Sequence, residues 1–375
     1  MDESANLRLP FLMPAQAQKH ITHNEALARL DALVQLAVLD RDLASPPAEP
    51  AEGDRHIVAA GATGDWAGWD LSVAAWVAGA WQRLIPRAGW LAFVLDEDTL
   101  VYWDGAAWQP YAAPSGARRD VLTADRTYYV RTDGSDSNNG LSNSAGGAWA
   151  TMQKAMDFIA ANLDLAGYAV TVQVGPGTYS AGVLFKAVVG QAGPDNLTFL
   201  GDLTTPSNVV VNIASGSAFY TNGVGIQARV RGMKLTSSGS GNGFRAGTGS
   251  FLRFTDIDFG ATGGFHIQAD TQGTVQAASN YSITGSASRH MFVQSQGQVQ
   301  CVSRTITLTG TPAFTQFADL DILSLLQING CTFTGAATGK RYDVASNSAI
   351  FTNGAGATYL PGDTAGSTAT GGLYI

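Results

Sequence analysis

The chain has 375 residues, enough for two or three domains, and 45% are apolar, enough to bury a sizeable core. Charged residues make up only 14% and glycine is abundant at 44 copies, which points to a β-rich, turn-rich chain. Apolar β-branched runs persist throughout, which excludes a disordered polymer, and a net charge of −8 argues against a protein wrapped on nucleic acid.

Two cysteines, Cys301 and Cys331, have no Cys or His at ligand spacing. They read as small buried hydrophobes in reduced form, not as a disulfide framework or a zinc site. "MDESANLRLP" is acidic and lacks an apolar core, so no secretory signal is legible. No apolar run approaches the ~18 residues of a membrane span. The expectation is synthesis in a bacterial cytoplasm with no membrane insertion.

In chain order, Pro14 to Asp40 reads as a helix, with Leu27, Leu30, Leu33, Val34, Ala37 and Val38 recurring at three and four. Ser45, Pro46 and Pro47 are expected to end it. Residues 45–112 follow as short aromatic strands between Gly and Asp turns, a small antiparallel β module. Six of the eight tryptophans lie between Trp66 and Trp103, and all five glutamates lie at or before Glu97, so composition shifts sharply after this module. Residues 113–127 read as a linker. From 128 a strand and a turn-rich loop lead to a helix with Thr151 as N-cap and Met152, Ala155, Met156, Ile159 and Leu163 on one face.

Beyond that helix the sequence repeats. Glycines at 201, 225, 249, 273 and 297 are 24 apart. Val211, Leu235, Phe259, Ile283, Leu308 and Phe333 form a second thread at 24, 24, 24, 25 and 25. A period in the twenties, built of short strands with no intervening helix, is the signature of a β-solenoid. About seven coils are expected, with the 151–163 helix as a lid over the first. A β-sandwich, with shorter and less regular strand spacing, is the alternative.

"YYVRTDGSDSNNGLSNSAGGAWATMQKAMDFI" followed by "VTVQVGPGTYSAG" resembles the opening of right-handed parallel β-helices of the pectin-lyase-like superfamily, common in phage tail fibres and tailspikes. The ending "IFTNGAGATYLPGDTAGSTATGGLYI" is similar to prophage tail-fibre C-termini. Residues 7–110 closely resemble a family of unknown function found in phage and gene-transfer-agent tail proteins. These resemblances imply a homotrimeric adhesin on a virion or gene-transfer-agent particle. Residues 1–44 would attach it to a baseplate or other structural protein, or trimerise it, and 128–375 would form the receptor-binding β-helix.

Candidate chemistry is sparse. Arg229 and Arg253 are 24 apart and flanked by apolar residues, so they should stack outward on adjacent coils, with Arg231 and Arg245 near. Stacked guanidiniums suit carboxylates or phosphates of a surface polysaccharide, and equally a trimer interface or plain solvation. With no glutamate beyond Glu97, a glycosidase pair must be aspartates. Asp256 and Asp258, two apart on one strand, would face the same side roughly 6–7 Å apart. Asp319 and Asp321 repeat that pattern, and an exposed polar pair is the plain alternative for both. His266 and His290 read as solvent-facing. "TDGSDSNNG" lacks the oxygen spacing and closing Glu of a calcium loop, and "GSGNG" is followed by no phosphate-loop context, so no cofactor or metal is expected. The tryptophans suit sugar stacking or a mini-core. The expectation is a tail fibre or spike that binds a host surface glycan. A polysaccharide depolymerase on the same scaffold and a ligand-free spacer are the alternatives.

Overall fold

A computed structural model describes residues 3–11, 19–111 and 119–375, as two compact units, Met1–Ala117 and Arg118–Ile375.

In the N-terminal unit, helix α1 spans Lys19–Leu33, and Pro14 to Gln18 lie outside the described residues. The helix stops well before Ser45. Gln35 takes a left-handed φ of 51°, and Ala37–Val38 then pair in parallel with Phe93–Val94. The periodic apolar pattern thus runs across a helix and a strand. A three-stranded antiparallel sheet (Arg55–Ile57, Val73–Val77, Ala80–Leu84) turns through Ala78–Gly79, both at positive φ, the geometry of a tight two-residue hairpin. Ala32, Leu36 and Val38 share one core with Ile57, Val73, Val94 and Val101. Residues 32–38 are therefore part of the aromatic module's own core. Trp66 is fully buried, with Trp81 edge-on at 4.9 Å. The tryptophans chiefly supply the mini-core, because so small a module needs large side chains to bury enough apolar area.

The second unit begins earlier than residue 128. Asp120–Val121 pair with Leu163–Asp164, Leu122 is buried, and Arg126–Val130 form the first strand of a long sheet. The later part of the expected linker thus belongs to this unit, and residues 112–118 lie outside the described residues. Helix α2 (Met152–Asn162) buries Met152, Ala155, Met156, Ile159 and Ala160. Thr151 Oγ1 accepts from Lys154 N at 3.2 Å, and Asp136 in turn accepts from Thr151 N and Oγ1. The Asp-rich loop is thus a turn that holds the helix start.

A parallel β-solenoid follows. Seven coils each place one strand in a first sheet of ten strands, a second of seven and a third of eight. One coil runs Gln227–Arg231, Lys234–Ser237, Asn242–Gly247, and the next Phe251–Thr255, Asp258–Phe259, Phe265–Ala269. Alternation along each strand sends every second side chain inward, so apolar residues stack as ladders. Val172, Phe199, Val230, Phe254, Ala277 and Cys301 form one ladder, and Phe219, Phe244, Ile267, Met291 and Ala318 another. Each fully buried Phe contributes roughly 1.5–3 kcal/mol. Cys301 and Cys331 are free thiols in this core, Sγ to Sγ 3.6 Å.

The two sequence threads fare differently. Val211, Leu235, Phe259, Ile283 and Leu308 are true register partners, but Phe333 pairs with Ile306 and misses the column by two residues. The glycines do not form one column. Gly225 and Gly249 sit in corners at positive φ. Gly273 and Gly297 fall one step later, where a Cβ would stand 2.2 and 2.3 Å from the Ala246 and Ala269 carbonyl oxygens. Coil length varies: Phe251, Thr274, Gln298, Leu325 and Ala349 are successive partners, giving coils of 23, 24, 27 and 24 residues. The corners with paired left-handed residues keep one length, and the extra residues of the long coil fall between Cys301 and Ile306 and between Leu308 and Phe314.

Candidate functional site

Arg229 and Arg253 are register partners on the first sheet and point outward. Both guanidiniums are already engaged by one carboxylate. Asp195, in the loop before the strand Leu197–Leu200, lies 3.4 Å from Arg229 and 2.7 Å from Arg253. Burial lowers the Arg229 pKa, and the neighbouring charge of Arg231 adds to it. Arg253 Nε donates to Gln276, and Gln276 to Gln300, so a polar column continues along the face. Arg231 donates to Thr255 and stands 4.0 Å from Asp256. Arg245 does not join them. It lies on the third sheet, pairs with Asp270 at 2.8 Å and covers the Tyr220 ring at 4.8 Å.

Asp256 and Asp258 do not share a strand. The first sheet's strand ends at Thr255, and Asp256 turns the corner at φ 54°. Asp258 opens the second sheet's strand. There it pairs with Lys234 at 3.0 Å and accepts from Thr284 at 2.7 Å. The two carboxylates therefore serve different cations. Asp321 likewise caps its own corner by accepting from Ile322 N. His266 and His290 are fully buried, not solvent-facing, because this strand sends two consecutive residues inward at that point. His290 Nε2 meets Tyr281 OH at 2.9 Å, and His266 Nε2 meets the Gly260 carbonyl at 2.9 Å. Among the described residues no group of three His, Cys, Asp or Glu could hold a metal ion, and no helix is long and apolar enough to cross a membrane.

The richest outer surface lies on the third sheet. Phe265, Arg289, Gln316 and Lys340 are successive register partners, as are Gln268, Phe292, Asp319 and Asp343. Phe265 and Phe292 are half-buried, with centroids 4.6 Å apart. The Arg289 guanidinium lies 5.4 and 5.1 Å from these two rings and pairs with Asp319 at 2.5 Å. Asp343 accepts from Lys340 at 2.8 Å and from Ser367 at 2.6 Å. Burial pushes the Asp319 carboxyl up against the pull of Arg289, and nearby Asp343 and Asp321 add to the rise. At Asp343 burial also acts upward, but the bonds from Lys340 and Ser367 hold it below the usual range. The sequence signal for this strip was present: Phe265 to Arg289 and Asp319 to Asp343 are each 24 apart. It was masked because each residue stands alone in its own coil.

The charge distribution sharpens the contrast between units. Residues 118–375 hold 15 Lys and Arg against 15 Asp, so the solenoid unit is neutral and the whole −8 lies in residues 1–117.

Residues 23–109 match a family described as a protein of unknown function (DUF2793). The N-terminal unit thus carries a DUF2793 domain. That match lies within the stretch whose resemblance to a family of unknown function is visible in the sequence. The DUF2793 domain covers less than half of the chain, and the solenoid lies outside it. The chain matches no curated protein and no solved structure.

Proposed function

We propose that this chain is a tail fibre or spike of a virion or gene-transfer-agent particle, and that its solenoid binds a host cell-surface glycan. The observation that carries this reading is the third-sheet strip, where two half-buried aromatic rings and two ion pairs follow one another along successive rungs. Long saccharides suit such a surface, because it presents rings and hydrogen-bonding groups along several rungs about 4.8 Å apart. The acidic DUF2793 unit is the attachment end in this reading, and a homotrimer presents three solenoids, raising avidity without new contacts.

The test is retention of purified full-length protein on immobilised surface polysaccharides of candidate bacterial hosts, with mass measured by light scattering. Retention of a trimer supports the adhesin. A folded chain retained by none of them leaves a structural spacer as the better account.

A further inference from the structure

Three features of the solenoid converge on the chemistry of its ligand. The first is electrostatic. Arg229 and Arg253 share Asp195, Arg245 holds Asp270, Arg289 holds Asp319, Lys234 holds Asp258 and Lys340 holds Asp343. These six outward cations are thus held by five carboxylates, within a unit of zero net charge. An acidic saccharide would have to displace an internal carboxylate from each. On the third sheet it would also meet Asp319, Asp321 and Asp343 together. The second feature is aromatic. Phe265 and Phe292 are half-buried and tilted by 40°, and the Arg289 guanidinium lies over both, so packing holds the two rings in place. Tyr220 under Arg245 repeats the arrangement on the same sheet. The third is the polar complement. Arg289, Lys340 and Ser367 can donate, and the Asp319 and Asp343 carboxylates accept, spread over four successive rungs.

We infer that this strip is a subsite for an uncharged oligosaccharide, one sugar of which stacks its apolar C–H face on Phe265 and Phe292 while the hydroxyls of its neighbours along the strip bond the Arg289–Asp319 and Lys340–Asp343 pairs. The inference rests on the glycan-binding reading and adds the ligand's class and the residues that hold it. A hydroxyl both donates and accepts, so it can bridge a guanidinium and a carboxylate without breaking the pair. Sugar binding here leaves the ion pairs intact, and affinity depends little on ionic strength, unlike recognition of a polyanion through free cations.

The experiment measures binding of the full-length protein to neutral polymers (dextran, mannan, galactan) and to acidic ones (polygalacturonate, hyaluronan). Salt is varied between about 0.05 and about 0.5 M. The expected result is retention on at least one neutral polymer that changes less than about twofold over this range. Phe292→Ala should weaken it by about tenfold. Phe292→Leu keeps apolar bulk without the ring. It should weaken binding similarly at an unchanged melting temperature, which separates lost stacking from lost fold. Salt-sensitive binding to acidic polymers alone would overturn the neutral-sugar assignment while leaving glycan recognition standing. Neutral binding untouched by Phe265→Leu and Phe292→Leu would overturn the strip. Binding to no neutral polymer of this panel or of the host surface would overturn the neutral-sugar assignment, and binding to no polysaccharide of either kind would overturn both readings.

Discussion

His266 Nδ1 stands 3.1 Å from His290 Nδ1 on the adjacent coil, inside the solenoid, where neither ring touches water. Burial penalises the charged form, pushing His266 down to about 3 and His290 well below its ordinary value. An unfolded His titrates near ~6.5, so the unfolded chain takes up protons that the folded chain refuses. Stability is therefore full above that pH and falls as pH drops toward about 3. At about pH 5 the loss from His266 is on the order of 2 kcal/mol, and His290 adds to it in the same direction. Thermal melts at neutral pH and near ~5 check this. The wild type should melt lower in acid, and a His266→Asn, His290→Asn double variant should show a flatter dependence. An unchanged wild-type midpoint would contradict the buried neutral pair.

Asp195 masks two stacked guanidiniums at once. Asp195→Asn should cost little stability, up to about 1 kcal/mol, because the carboxylate is half-exposed and screened. It should instead create affinity for a sulfated polysaccharide resin, with elution by salt. Identical elution of variant and wild type would show that Asp195 does not neutralise the pair in solution.

Gly273 faces the Ala246 carbonyl so closely that any Cβ forces the coils apart. Gly273→Ala should destabilise the solenoid by about 1–3 kcal/mol. Gly146→Ala, where a Cβ meets nothing within 4 Å, should stay within about 0.5 kcal/mol. Urea unfolding of the two variants measures the contrast, and equal midpoints would disprove the close approach.

Trp66 is fully buried among His56, Trp81 and Ala74. Trp66→Ala should cost about 3–5 kcal/mol in the N-terminal unit and leave polysaccharide retention by the solenoid unchanged. Loss of retention with an intact fold would move sugar binding to the DUF2793 domain.

The solenoid was legible because its core is a ladder, and a ladder forces chemically similar residues to recur at coil length. Val211 to Leu308 show this directly. The glycine thread looked equally regular yet mixes two causes, a left-handed corner and a close backbone approach, at positions one residue apart. The end of α1 was not legible because Val34 and Ala37 keep the helical spacing, while the left-handed turn at Gln35 leads Ala37 and Val38 into strand pairing with Phe93 and Val94. The outer site was harder still. Solvent-facing residues obey no ladder, so Arg229 and Arg253 announced themselves by spacing, whereas their partner Asp195 lies in a distant loop. Asp256 and Asp258 were misplaced because alternation was extended through a corner, where the period of two does not hold.

The most direct test of glycan recognition is to incubate purified protein with intact host surface polysaccharide and size both components afterwards. The account predicts unshortened glycan co-eluting with a trimer. Folded protein eluting apart from every glycan would contradict it. Shortened glycan would contradict the pure adhesin and direct attention to the adjacent carboxyls of Asp319 and Asp343.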